Sequence, residues 1–112
     1  MSLANLNNIP SNQENLNIWT FANADEHRKI GAAIRRIFNV SVQAYILDPM
    51  PLYNRGIWLY QHQQAHNQQN AVLGIAGNDL TQVDFNDPAQ VAAWIETHVV
   101  EHNAAAQILR LN

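Results

Sequence analysis

One pattern recurs three times along this chain and restricts what it can fold into. Trp19, Asn23 and His27 stand at i, i+4 and i+8; so do Trp58, His62 and His66, and again Trp94, His98 and His102. On a helix of 3.6 residues per turn this spacing draws one nearly straight stripe along one face. The triplets use every tryptophan and every histidine of the protein, 3 and 5 respectively, so the pattern is more than a by-product of composition. It calls for three helices that turn matching polar ladders toward one another.

The intervals from Trp19 to Trp58 and from Trp58 to Trp94 are nearly equal, which implies three helix-plus-connector units of similar size. Residues 1–10 (MSLANLNNIP) show no period and read as an extended N-terminal arm, ahead of a single domain over 11–112. Ser11 with Glu14 has the spacing of a capping box, and Leu16, Trp19, Asn23, His27, Ile30, Ile34 and Ile37 then carry helix one to Phe38 or Asn39. The stretch 40–47 (VSVQAYIL) is mixed; its β-branched residues suit a strand, but no partner strand is evident, and a short helix or continuation is expected. Pro49 and Pro51 stop any helix and open a loop. Asn54 is the expected cap of helix two, which ends near Gly74, and Gly77 with Asn78 marks a turn. Asp87, Pro88 and Gln90 supply a cap, a first-turn proline and an N3 amide for helix three, which runs to about Leu109. The expected fold is all-α, a small bundle of three main helices.

At 112 residues the chain has the length of one domain. It has no cysteine, which excludes disulfides, thiolate metal sites and a cysteine nucleophile. It shows neither a secretion signal nor eighteen consecutive apolar residues, so no membrane role is expected. Net charge is −3, and the one basic cluster, Arg28, Lys29, Arg35 and Arg36, makes a local helix edge; nucleic acid is not an expected partner. Charged residues are only 13% of the chain, about half the usual share. Asparagine and glutamine are abundant instead, above all in QHQQAHNQQN (61–70). Uncharged polar surface suits a subunit covered by neighbours.

Two readings of the stripes follow. Histidines at i and i+4, as in His62/His66 and His98/His102 with His27 as a fifth, can share a transition-metal ion. Such ligands want their second nitrogen held by a carboxylate or carbonyl. Glu26 and Glu101 adjoin stripe histidines but point about 100° away from them on their own helices, and Asn23 is a poor ligand. The alternative is a buried ladder in which imidazoles and an amide hydrogen-bond across helices, with the tryptophans closing one end. This second reading is the one expected, with no metal and no cofactor. Phosphate loops, nucleophile elbows and H-E-x-x-H are all missing, so no enzyme and no catalytic residue is expected.

In FANADEHRKI (21–30), WLYQHQQAHNQQNAVLGIAGNDLTQVDF (58–85) and WIETHVVEHNAA (94–105) the chain resembles a set of small proteins encoded by tailed bacteriophages. The segments span about half the chain and all three stripes. The resemblance implies a phage origin and a virion component, with no catalytic residues to carry over. The expected function is therefore a non-enzymatic structural protein of a phage particle, on the capsid or at the head-to-tail junction. It would bind capsid, portal or tail proteins in multiple copies set by particle symmetry, and be found in the virion and, during assembly, in the host cytoplasm. Leu3, Leu6, Ile9, Met50, Leu52, Tyr53 and Phe85 are the expected partner contacts, or else they close the ends of the bundle. The alternative function is a His-rich metal-binding protein or metal-dependent hydrolase.

Overall fold

In the computed structural model, which describes residues 8–42 and 49–111, three helices make an all-α bundle: α1 (Gln13–Phe38), α2 (Gly56–Leu73) and α3 (Pro88–Leu109). It measures 40 × 24 × 24 Å. Leu3 and Leu6 lie outside the described residues, as do 43–47 of the ambiguous stretch. At 40–42, where a helix was expected to continue, the backbone is irregular instead. The reason is Asn39, which adopts a left-handed conformation (φ 54°) and closes α1 by donating its N–H to the Arg35 carbonyl.

Two caps differ from expectation by one residue. Asn12, not Ser11, caps α1, its side chain accepting from Asn15 N at 2.9 Å. Arg55, not Asn54, precedes α2, and it makes no side-chain cap. Asp87 caps α3 as expected, accepting from Ala89 N at 3.0 Å with Pro88 in the first turn.

All three helices run in the same direction. Trp19, Trp58 and Trp94 meet at one end, with Trp19 6.0 and 6.1 Å from the other two rings. His27, His66 and His102 meet two turns further along. Ile30, Ala33 and Ile34 of α1 pack with Ala105, Ala106 and Leu109 of α3 beyond that. Only a parallel arrangement puts three triplets of identical order into common layers. Short loops make neighbours antiparallel; here each connector is long enough to travel back along the bundle. The α2–α3 connector packs Ile75 on the far apolar cluster and Leu80, Val83 and Phe85 on the tryptophan cluster.

Glutamine side chains hold the returning backbone. Gln13 donates to the Met50 carbonyl (2.9 Å) and accepts from Leu52 N (2.8 Å). Gln63 accepts from Leu80 N (2.6 Å) and donates to the Asn78 carbonyl (3.1 Å). The amide-rich composition thus has an internal use: these amides hydrogen-bond backbone groups of the connectors. The apolar residues outside the stripes divide in the same way. Met50 is fully buried, and Ile9, Leu52 and Phe85 pack partly buried against the same tryptophan cluster, so these four close one end of the bundle; Tyr53 alone of the described set stays free, at 96% exposed. The basic edge is partly neutralised, since Arg28 and Lys29 both pair with Asp25 at 3.0 Å.

Candidate metal centre

The polar middle of the bundle lies between two apolar clusters, the tryptophan end and the Ile30–Leu109 end. All five histidines are buried, at 0–3% exposed. They arrive in two layers because each helix delivers its stripe one turn at a time. The lower layer is a triangle of His27, His66 and His102, with ring centroids 4.7, 4.9 and 5.0 Å apart. Above it lie His62 and His98, 4.9 Å apart. Each stacks under the tryptophan of its own helix, at 4.5 Å and 17° for Trp58–His62 and 4.7 Å and 18° for Trp94–His98.

The outer nitrogens of the lower triangle are held in a cycle. His27 Nδ1 on α1 donates to Gln69 Oε1 on α2 (3.0 Å), His66 Nδ1 on α2 to Glu101 Oε1 on α3 (3.3 Å), and His102 Nδ1 on α3 to Glu26 Oε1 on α1 (3.1 Å). Sequence reasoning had set both glutamates aside, because neither faces the histidine beside it. Each instead reaches the histidine of a neighbouring helix, so His66 and His102 have acceptors for their second nitrogen, while His62 Nδ1 and His98 Nδ1 have none among the described residues. Gln69, inside the amide-rich run, was not singled out at all. On α2 the position equivalent to Glu26 and Glu101 is Ala65, and Gln69 one turn on takes over the accepting role. Glu101 also accepts from Asn70 Nδ2 (2.6 Å) and Asn78 Nδ2 (3.3 Å), which ties the α2–α3 connector to the site.

These bonds fix the tautomers. Carboxylate and carbonyl oxygens only accept, so Nδ1 carries the proton in His27, His66 and His102, and each turns an Nε2 lone pair inward. The Nε2 of His62 lies 3.4 Å from that of His27, 3.1 Å from that of His66 and 3.2 Å from that of His98. One ring nitrogen has either one hydrogen or one lone pair, so it cannot bond all three neighbours. His102 Nε2 has no hydrogen-bond partner among the described residues. A ladder of imidazole hydrogen bonds therefore leaves inward lone pairs facing one another in a dry interior, which costs free energy. A cation at the centre uses every one of them.

The spacing fits that alternative. A metal binding imidazole at about 2.0–2.1 Å places adjacent nitrogens roughly 2.9–3.4 Å apart in octahedral to tetrahedral coordination. The three contacts to His62 Nε2 fall in that band or at its edge, and one ligand atom from each of the five histidines lies within 4.8 Å of all the others, so the site closes slightly to bring its widest pair to the roughly 4.2 Å of trans ligands around one ion.

Protonation is disfavoured at His27, His62, His66 and His98. Burial, and then the neighbouring imidazoles, hold His27, His62 and His98 well below the ordinary histidine value of 6.5. Burial takes His66 down to about 4 although Glu101 opposes it. Burial pushes the Glu101 carboxyl up, but the bonds from His66 and Asn70, with His66 nearby and Asn78, outweigh it and hold the group below its usual range. The result is neutral imidazoles beside an ionised carboxylate, the protonation pattern that binds metal.

Comparison of the chain with protein-family models, with curated proteins and with solved structures found no match.

Proposed function

We propose that this protein binds one transition-metal ion between its three helices, through Nε2 of His27, His62, His66, His98 and His102. The observation that carries this is the close approach of His27, His66 and His98 Nε2 to His62 Nε2, at 3.1–3.4 Å, more contacts than hydrogen bonding can use. Imidazole ligands suit zinc, copper, nickel or iron. With its ligands at most 3% exposed, the ion has no access to a bulky substrate. Its role is structural: it replaces repulsion between inward lone pairs by five bonds and locks three parallel helices in register, so binding free energy becomes folding free energy. Elemental analysis of the purified protein tests this. One metal per chain, lost in a His66→Ala/His102→Ala variant, is the expected result; a folded chain that takes up no zinc, copper, nickel, cobalt or iron at equimolar ion refutes it.

A second reading concerns the outside of the molecule and is compatible with the first. Ile18 and Phe21 on α1, Ile57 and Tyr60 on α2 and Val100 on α3 are 59–69% exposed. Large apolar groups on every helix, with few charges between them, support a subunit covered by neighbours. Together with the resemblance in residues 21–30, 58–85 and 94–105, this favours a non-enzymatic component of a tailed-phage particle whose fold is pinned by the ion. A peptide-mass inventory of purified particles that lacks this chain would remove that reading and leave the metal centre standing.

A further inference from the structure

The layers of the centre are incomplete in one place. The tryptophan layer has three members and the lower histidine layer has three, but the layer between them has only His62 and His98 as imidazoles. Its third corner belongs to α1. The residue there is Asn23, four after Trp19 and four before His27, as His62 and His98 are each four after a tryptophan and four before a histidine. Asn23 is 0% exposed, and neither Oδ1 nor Nδ2 has a hydrogen-bond partner among the described residues. A buried amide with both ends unpartnered costs free energy, and in native proteins it is satisfied by something.

We infer that the ion carries a sixth ligand, one water molecule, at the corner faced by Asn23, and that the Asn23 amide holds this water by hydrogen bonding. The inference rests on the metal-centre reading. Two triangles of donors, one above the other, describe six-coordination, and five of the six positions are imidazole. An asparagine side chain is a bond shorter than the path from Cα to an imidazole Nε2. On a helix held at the same distance by the layers above and below, its amide stops short of where a sixth nitrogen would stand. The gap of about one bond between amide and coordination position excludes a large ligand.

Charge decides which small ligand. Glu26 and Glu101 are the only acidic side chains buried among the described residues, and no lysine or arginine is buried with them. Two carboxylates offset a divalent ion bound by five neutral imidazoles, and a neutral sixth ligand keeps the interior neutral, whereas an anion would leave one uncompensated charge there. Water satisfies this condition. It also donates to Asn23 Oδ1 while its lone pair binds the ion, which gives it the two polar partners that a buried water needs at minimum.

The test uses the protein loaded with Co2+ and electron paramagnetic resonance in water enriched in oxygen-17, which broadens the cobalt signal only where solvent oxygen is bound to the ion. Broadening is expected in the unaltered protein, and its loss is expected in Asn23→His, which offers a sixth imidazole, and in Asn23→Gln, whose amide oxygen reaches one bond further from Cα and takes the water's place on the ion. The Gln variant serves if the larger imidazole prevents folding. One Co2+ bound without broadening overturns the water, as does broadening that persists in a folded, loaded variant. A protein that binds no Co2+ overturns the metal-centre reading itself, so the two failures are distinct.

Discussion

Removing the ion should leave a bundle that acid dismantles over a narrow range. In the metal-free protein His27, His62, His66 and His98 are held neutral by burial, with proton affinity below the ordinary 6.5. The unfolded chain has no such constraint. Between 6.5 and the lower folded values, the unfolded state therefore binds more protons, and stability rises with pH and falls as pH drops. Each such histidine costs about 1.4 kcal/mol per pH unit below 6.5, so four of them cost about 5–6 kcal/mol at pH 5.5 relative to pH 7.5. That equals the whole stability of a weak domain, which is roughly 5–15 kcal/mol. The lowered carboxyl of Glu101 acts below this window and does not offset the loss. Urea titrations of chelator-treated protein at the two pH values measure the difference. With an m-value of roughly 1–3 kcal/mol per M, the midpoint should fall by about 2–5 M or the protein should already be unfolded at pH 5.5. An unchanged midpoint would mean that the histidines are hydrated or already charged in the folded state, and the centre as described would be wrong. In the loaded protein, protons must compete with the ion for the same lone pairs, so the transition moves to lower pH.

Glu26→Gln keeps an acceptor for His102 Nδ1 and removes one charge; titration with Zn2+ should show affinity reduced by roughly 10–100-fold, with helix content unchanged by circular dichroism. Asp87→Ala removes the cap of α3 and should lower stability by about 1 kcal/mol in chemical denaturation, without altering zinc stoichiometry.

The stripes were legible because one helix encodes them: i, i+4 and i+8 positions need no knowledge of the other helices. The three helices and the Asp87 cap were read for the same reason. The second shell was hidden by that same locality. Glu26 and Glu101 stand one residue off the stripe, rotated away from their own histidines, and this rotation aims them at the histidines of adjacent helices. Their partners follow only once the helices are known to be parallel and in register. Triplets of identical order on all three helices carry that information. Met50 shows a different gap. Its apolar character was plain, yet its place in the core depends on a connector that returns along the bundle and is fixed by Gln13 and Thr20, which accepts from Met50 N at 3.2 Å. No local spacing encodes that path.

The cyclic second shell also bears on which ions the site can hold. Of its three acceptors two are carboxylates and the third, Gln69, is a neutral amide doing the same geometric job. If orientation of the imidazoles were all that mattered, a third glutamate would serve as well as Gln69. A neutral residue there keeps the count at two negative charges, which matches a divalent ion and leaves a trivalent one short by one charge. Gln69→Glu separates the two ideas, since it keeps the acceptor for His27 Nδ1 and adds a buried charge. If charge balance governs the site, the metal-free variant should lose stability, by up to several kcal/mol for an uncompensated buried carboxylate, and a measurable part of the loss should vanish below the pH at which that carboxylate takes up a proton. Loading with Zn2+ should recover stability less completely than in the unaltered protein, because the loaded interior would carry a net −1. Equal melting temperatures for the two proteins, both metal-free and zinc-loaded, would show that the second shell acts through geometry alone and that the two glutamates say nothing about the charge of the ion.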